Sequence, residues 1–154
     1  MNYSKALNEC IESAYMVAGH FGARYLESWH LLIAMSNHSY SVAGATLNDY
    51  PYEMDRLEEV ALELTETDYS QDETFTELPF SHRLQVLFDE AEYVASVVHA
   101  KVLGTEHVLY AILHDGNALA TRILERAGFS YEDKKDQVKI AALRRNLEER
   151  AGWT

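Results

Sequence analysis

The sequence predicts an all-α fold in which two tandem four-helix repeats form one pseudo-twofold domain. Three observations predict it: the chain is an internal duplication, both halves carry apolar residues at helical spacing, and no segment alternates as a β-strand does. With 154 residues and 47% hydrophobic content, the chain is long enough to bury one core. We expect a single domain over 1–154, with repeat 1 at 3–64, an acidic linker at 65–79 and repeat 2 at 80–150.

The duplication is visible when positions 4–47 are placed on positions 81–124 without a gap. This alignment gives 12 identities in 44 positions. The identical residues, named by their first-repeat members, are Ser4, Leu7, Ala14, Val17, Ala18, Ala23, Leu26, His30, Leu32, Ala34, Ala43 and Leu47. Because most of them are small or aliphatic and recur at helical spacing, the two halves are predicted to be copies of one helical unit.

Repeat 1 is predicted to begin with two amphipathic helices. Ser4 precedes apolar residues that recur every three or four positions, so it is predicted to cap the first helix, with Leu7 and Ile11 in the core. Ser28 is predicted to cap the second helix, which turns Leu32 inward.

Two shorter helices are predicted to complete repeat 1. One covers about 42–47, and the next starts at Pro51, whose fixed φ suits the first turn of a helix. The segment "TETDYSQDETFTELP" that follows has five acids and no bases, and no apolar face persists through it. It is therefore predicted to be the linker between the halves.

Repeat 2 follows the same order. Ser81 is predicted to cap its first helix, with Leu84 and Phe88 buried, and Thr105 is predicted to cap its second helix, with Leu109 buried. Because each unit is small, we expect the apolar faces of the two repeats to be buried against each other in one domain.

The last two helices are predicted from turn residues. A third helix of repeat 2 opens at Gly116 and ends at Gly128, where glycine adopts a left-handed conformation at little cost. Ser130, followed three residues later by Asp133, resembles a capping box, and the last helix is predicted to start there and to run to about 150.

Composition limits the classes of function. Thirteen basic and 25 acidic residues give a formal net charge of −12, which disfavours binding to a nucleic-acid backbone. The single cysteine, Cys10, excludes an internal disulfide, and no apolar run approaches the roughly 18 to 20 residues that cross a bilayer. We therefore expect a cytoplasmic protein without a membrane partner.

With its duplication and helix starts, the chain resembles the N-terminal domain of the Clp family of AAA+ unfoldases, most closely the ClpC type of Gram-positive bacteria. The resemblance covers residues 3–150 and depends on "YSKAL" and "FSHRL" at the two openings, on "GTEHVLYAIL" and on "ALATRILERAGFS". The first half departs from the family pattern, because "ESWH" stands where the family signature has Gly-Thr-Glu-His. The acidic residue of that signature is expected only in repeat 2.

The resemblance implies a non-catalytic docking domain. Such domains bind adaptor proteins and protein substrates and pass them to an ATPase ring and, through it, to a peptidase. The sequence has no phosphate-binding loop of the form Gly-x4-Gly-Lys-Ser/Thr. We therefore expect no cofactor in this segment, with ATP and Mg²⁺ belonging to the ATPase domains of a longer parent protein.

The resemblance to ClpC-type domains also implies recognition of arginine-phosphorylated proteins. A phosphoarginine offers a phosphate, which suits a helix start, and a cationic guanidinium group, which suits a carboxylate. The residues expected to bind it are Phe80, Ser81, Thr105 and Glu106. The residues expected to form a degenerate first-repeat site are Ser4, Ser28 and Trp29.

Two other functions remain open from the sequence. One is a stand-alone accessory protein of a Clp protease complex; the other is a small all-α metal-binding enzyme that uses the seven histidines and the glutamates. Glu27 and His30 have the Glu-x-x-His spacing of di-iron bundles, but Gly104 occupies the matching place in repeat 2. We therefore predict no metal ligand and no catalytic residue, and we interpret His30 and His107 as packed, hydrogen-bonded residues at helix starts.

Overall fold

The computed structural model describes residues 1–48, 56–66, 77–115, 119–127 and 143–152. The helices within these ranges are α1 (Lys5–His20), α2 (Ser28–Asn37), α3 (Val42–Asn48), α4 (Arg56–Thr65), α5 (His82–Val97), α6 (Thr105–His114), α7 (Leu119–Ala127) and α8 (143–150). Extended pairing in the described ranges is limited to two isolated bridges. The predicted all-α fold is confirmed.

The first helix of each repeat is capped as predicted. The Ser4 hydroxyl oxygen accepts the backbone N–H of Leu7 at 3.1 Å, and the Ser81 hydroxyl oxygen accepts that of Leu84 at 3.1 Å. Each bond satisfies one of the N–H groups that have no partner within the first turn of a helix. The two serines therefore fix where α1 and α5 begin.

The caps predicted for the second helices are wrong by one residue. α2 begins at Ser28 and α6 begins at Thr105, so Glu27 and Gly104 occupy the N-cap positions. The Thr105 hydroxyl oxygen instead accepts the backbone N–H of Ala43 at the start of α3, at 3.2 Å. This hydroxyl therefore forms a hydrogen bond between the two repeats instead of capping the start of its own helix.

The core lies between paired helices within each repeat and between the repeats. α1 packs on α2 and α5 packs on α6, while α4 with α7 and α3 with α6 join the halves. The six residues predicted to be buried are all buried: Leu7, Ile11, Leu32, Leu84, Phe88 and Leu109. The contacts of α4 with α7 and of α3 with α6 therefore bury apolar surface of one repeat against the other.

Several predicted boundaries lie outside the described residues. They are the helix start at Pro51, the helix opening at Gly116, the stop at Gly128, the capping box at Ser130 and most of the linker. The predicted third helix at about 42–47 is confirmed by α3. Within the described ranges, the helices are all too short or too polar to span a bilayer.

Candidate functional site

The first helix of each repeat begins beside the second helix of the other repeat. The backbone N–H of Ser4 donates to the carbonyl oxygen of Leu103 at 2.8 Å, and that of Ser81 donates to the carbonyl oxygen of Leu26 at 2.9 Å. The start of α1 therefore lies beside the start of α6, and the start of α5 lies beside the start of α2. We call the first place the Glu106 junction (Tyr3, Ser4, Gly104, Thr105, Glu106) and the second the Trp29 junction (Glu27, Ser28, Trp29, Phe80, Ser81).

The site predicted from the sequence requires Ser81 and Glu106 to lie close together. The structure does not bring them together. α5 and α6 run antiparallel, because Arg83 at the start of α5 forms an ion pair with Asp115, which directly follows α6. The 16 residues of α5 span about 24 Å, so Ser81 and Glu106 lie near opposite ends of this helix. Phe80 and Ser81 face the signature of repeat 1, whereas Ser4 faces Thr105 and Glu106.

At the Glu106 junction, the carboxylate of Glu106 folds back over Gly104. A methyl group at position 104 collides with Oε1 of Glu106, so the glycine makes room for this side chain. Burial raises the pKa of Glu106 above its usual range. Its Oε1 lies 3.5 Å from Nδ1 of His107, but this nitrogen already accepts the backbone N–H of Gly104 at 2.9 Å and has no proton to offer. Glu106 is thus a half-buried carboxylate that lacks a cationic partner among the described residues.

At the Trp29 junction, the carboxylate belongs to Glu27, two residues before the position that corresponds to Glu106. Nε1 of Trp29 donates to Oε2 of Glu27 at 2.9 Å. The ring of Trp29 packs edge-on against Phe21 with centroids 4.6 Å apart, and only 6% of the residue is exposed. Repeat 1 therefore retains a carboxylate at this place, but an indole that belongs to the core holds it.

A small cavity opens at the Trp29 junction. Its volume is about 70 Å³, and it is lined by Glu27, Ser28, Trp29, Ser81, Arg83 and Leu119. It brings Ser81 beside Glu27, Ser28 and Trp29.

The two matching histidines stabilise helix starts. Nδ1 of His30 accepts the backbone N–H of Glu27 at 2.9 Å, as Nδ1 of His107 does for Gly104. Burial lowers the pKa of His30 to about 3 and also lowers the pKa of His107. Both imidazoles are therefore neutral, and their interpretation as packed, hydrogen-bonded residues is confirmed. In the described part of the chain, His, Cys, Asp and Glu form no group of three that could hold a metal ion.

A chain of polar side chains joins α1 to the turn after α2. The Ser13 hydroxyl lies 2.7 Å from Nε2 of His38, Nδ1 of His38 lies 2.8 Å from the Tyr40 hydroxyl, and that hydroxyl donates to Glu9. A serine next to a histidine is the arrangement that nucleophilic catalysis uses. Ser13 lies inside α1, however, where the helix engages the backbone N–H groups that an oxyanion requires. We assign these hydrogen bonds to the packing of the turn.

A larger groove lies between α5 and α6. Its volume is about 530 Å³, and its lining includes Val86, Asp89, Glu90, Tyr93, Tyr110 and His114. This groove was not predicted from the sequence. Val86, Tyr93 and Val97 recur at helical spacing on the side of α5 opposite its buried face, and this second apolar stripe was the available signal.

Comparisons with known proteins agree with the fold. The family model of the Clp repeat (R) N-terminal domain matches residues 2–149. No curated protein matches the chain. The N-terminal domain of the chaperone ClpD from Arabidopsis thaliana is 16% identical, with a TM-score of 0.73 over 98% of this chain and 95% of that chain.

Two further solved structures are similar to the chain. The Hsp104 N-terminal domain from Candida albicans is 17% identical, with a TM-score of 0.72 over 100% of this chain and 94% of that one. The ClpV N-domain, solved in complex with VipB peptide, is 18% identical, with a TM-score of 0.64 over 94% and 88%. At these identities, the likeness is one of fold.

Proposed function

The chain belongs to the family of Clp repeat N-terminal domains, and from this we propose that it is the docking domain of an AAA+ Clp/Hsp100 unfoldase, where it binds adaptor proteins and protein substrates. The observation that carries the proposal is the family match over residues 2–149. A solved relative of this fold, the ClpV N-domain, holds a VipB peptide, which supports docking of protein segments as the role of the fold.

We further propose that the parent protein is of the ClpC type and works in the cytoplasm. The second-half signature "GTEHVLYAIL" supports this assignment. In this proposal, the partners of the domain are adaptors and substrates, an ATPase ring and, through the ring, a peptidase. ATP and Mg²⁺ act in the ATPase domains of the parent and not at the helix junctions described here.

Phosphoarginine is the ligand that we propose for the Glu106 junction. The Glu106 carboxylate lacks a cation among the described residues, so it is suited to accept the guanidinium group. The start of α1 is suited to the phosphate, because the Ser4 hydroxyl keeps its proton to donate and the first N–H groups of the helix, on Lys5 and Ala6, have no intrahelical partner. Ser4 thus takes the role that the sequence suggested for Ser81. The hydroxyl of Thr105 is already bonded to Ala43.

Titration of the isotopically labelled chain with free phosphoarginine, followed by NMR, tests the ligand. The amides of 4–6 and 104–107 are expected to shift, while arginine or inorganic phosphate alone produces much smaller changes. Shifts confined to the Trp29 junction, or equal responses to arginine and phosphoarginine, contradict the assignment. Binding of adaptor proteins to the same sample tests the docking role independently of the phosphoarginine proposal.

The two competing functions have their own tests. A stand-alone accessory protein is distinguished by a reading frame that ends after Thr154. A metal-binding enzyme is distinguished by stoichiometric metal in the purified protein. The hydrogen bonds of His30 and His107 argue against the second function, because each Nδ1 already accepts a backbone N–H and is not available as a metal ligand.

A further inference from the structure

The solvent side of α5 carries large apolar side chains that a helix of a monomeric domain usually buries. Val86 is 41% exposed, Tyr93 72% and Val97 57%. Leu84, Leu87 and Phe88 fill the opposite face of the helix and form the core. The exposed residues therefore do not stabilise the domain by burial, and their spacing makes one stripe along the helix.

This stripe borders the groove between α5 and α6. The stripe from Val86 to Val97 covers twelve residues of helix, which is about 16 Å or three turns. Tyr110 of α6 lies on the other wall, where its hydroxyl hydrogen-bonds the Glu148 carboxylate of α8. The groove thus has apolar side chains of α5 on one side. On the other side it has an aromatic residue of α6 that a hydrogen bond holds in place.

Acidic residues line the groove on the α5 side. Asp89 and Glu90 are both exposed, and neither forms an ion pair within the described ranges. Two arginines beside the groove already have partners: Arg83 pairs with Asp115, and Arg144 lies 3.5 Å from Nδ1 of His114. The α5 edge therefore presents two carboxylates that a cationic ligand can neutralise.

We propose that the α5–α6 groove docks an amphipathic helix of about three turns, with its apolar face on Val86 and Tyr93 and with lysines or arginines along the edge that faces Asp89 and Glu90. This inference rests on the proposed docking role and specifies the chemistry of one partner. A second copy of the chain does not fit this groove. It brings the same carboxylates against each other, and each chain carries a formal charge of −12.

Two synthetic peptides of about 16 residues, both helical and with the same leucine face, test the inference in the full chain. One carries lysines along one flank, and the other carries glutamates at the same positions. Fluorescence anisotropy is expected to show that the lysine peptide binds at least about fivefold more tightly, and that its binding weakens as salt rises. Equal binding of both peptides, or no binding of either, overturns the inference.

Variants of exposed residues place the peptide in the groove without disturbing the core. The double variant Asp89→Lys with Glu90→Lys is expected to reverse the preference between the peptides, and Tyr93→Ala is expected to weaken both by at least about fivefold. The repeat alignment supplies matched controls, because Glu12 is the counterpart of Asp89 and Met16 is the counterpart of Tyr93. Glu12→Lys and Met16→Ala leave both affinities unchanged. Equal losses from a variant and its counterpart overturn the inference.

Two further measurements separate this inference from the proposed function. Glu106→Ala leaves peptide binding intact, and the Asp89→Lys, Glu90→Lys variant leaves binding of phosphoarginine intact. If phosphoarginine binds and the lysine peptide does not, the groove inference alone fails; if adaptors also fail to bind, the docking role fails. Dimerisation of the chain that Tyr93→Ala abolishes, measured by light scattering, identifies a self-interface and overturns the inference.

Discussion

Nε1 of Trp29 donates a hydrogen bond to the Glu27 carboxylate at 2.9 Å, at the start of α2. In repeat 2, the positions of these two residues are occupied by Gly104 and Glu106, whose carboxylate folds back over the glycine. The two repeats therefore place a carboxylate at the same kind of helix start by different residues. In repeat 1 an indole holds that carboxylate, whereas in repeat 2 it accepts the residue's own backbone N–H and has no cationic partner among the described residues.

Trp29 is expected to stabilise the fold. It is 6% exposed and packs against Phe21, so Trp29→Ala is expected to cost about 3 to 5 kcal/mol of unfolding free energy. Denaturant unfolding measures this cost. Tyr25→Ala, at a residue that is 54% exposed, serves as the control and is expected to change stability by less than about 0.5 kcal/mol. Similar costs for the two variants contradict the burial of the indole.

The caps make a second prediction about stability. Ser4→Ala and Ser81→Ala each remove an acceptor from a helix start and are expected to cost about 1 kcal/mol. Ser28→Ala is expected to cost less than about 0.5 kcal/mol, because Ser28 is the first residue of α2 and not its cap. Chemical denaturation of the three variants decides between these roles. If Ser28→Ala lowers the unfolding free energy as much as Ser81→Ala does, Ser28 acts as the cap that the sequence predicted.

The fold could be predicted because its determinants are local or repeated. Spacing of apolar residues placed α1, α2, α5 and α6, and the serine caps set the starts of α1 and α5. The second helix starts were misplaced by one residue, because serine and threonine are good caps whereas the chain uses an imidazole that reaches back from the third helical position.

The candidate site was harder to predict, because it forms between the repeats. Sequence alignment shows that Ser81 corresponds to Ser4, but not that Ser4 lies beside Leu103 and Ser81 beside Leu26. Four backbone hydrogen bonds between distant segments hold these helix starts together, and none of them leaves a pattern in the sequence. The α5–α6 groove was missed for a different reason, since the apolar spacing that predicts the core concerns the buried face of α5 and not the side that carries Val86 and Tyr93.

Core truncation tests the assignment of helix faces. Leu84 is fully buried in α5, and Leu84→Ala is expected to cost roughly 2 to 5 kcal/mol, as is Leu109→Ala in α6. Val86→Ala, two residues away on the exposed side of α5, is expected to cost less than about 0.5 kcal/mol. Thermal or denaturant unfolding provides the values. Comparable losses at Leu84 and Val86 mean that the faces of α5 are misassigned.

The buried His30 predicts acid sensitivity. Its folded-state pKa of about 3 lies below the unfolded value of 6.5, so the unfolded chain binds a proton first as pH falls. The stability that neutral His30 contributes is complete above the unfolded pKa and is lost between about pH 6.5 and 3, by up to about 1.4 kcal/mol per pH unit. His107, whose pKa is also lowered, acts in the same direction.

Unfolding free energies measured between pH 7 and 4 test this dependence. His30→Asn keeps a side-chain acceptor near the N–H of Glu27 and does not titrate, so its stability is expected to fall less steeply over this interval. The raised pKa of Glu106 acts in the opposite direction, because a carboxyl that binds its proton more tightly when folded favours the folded chain at low pH. If the unfolding free energy of the unsubstituted chain and that of His30→Asn fall equally steeply with pH, other groups determine the acid response.

Phosphoarginine binding is expected to depend on Glu106 and much less on Trp29. Glu106 offers a carboxylate without a cationic partner among the described residues. Loss of a charge-assisted pair of at least about 1.4 kcal/mol weakens binding tenfold or more. Glu106→Ala is therefore expected to raise the Kd by at least about tenfold. Ser4→Ala is expected to raise it less, because the N–H groups of α1 remain. Isothermal titration with phosphoarginine gives the Kd and the number of sites.

Conservative variants separate the charge of Glu106 from its packing over Gly104. Glu106→Gln keeps the shape of the side chain but loses the negative charge, so it is expected to bind phosphoarginine as weakly as Glu106→Ala. Trp29→Phe, which keeps a buried ring but releases Glu27 from its hydrogen bond, is expected to leave the Kd of the Glu106 junction unchanged. A second site of equal affinity in the parent chain contradicts the asymmetry, because it means that Glu27 accepts the guanidinium group although Trp29 holds it.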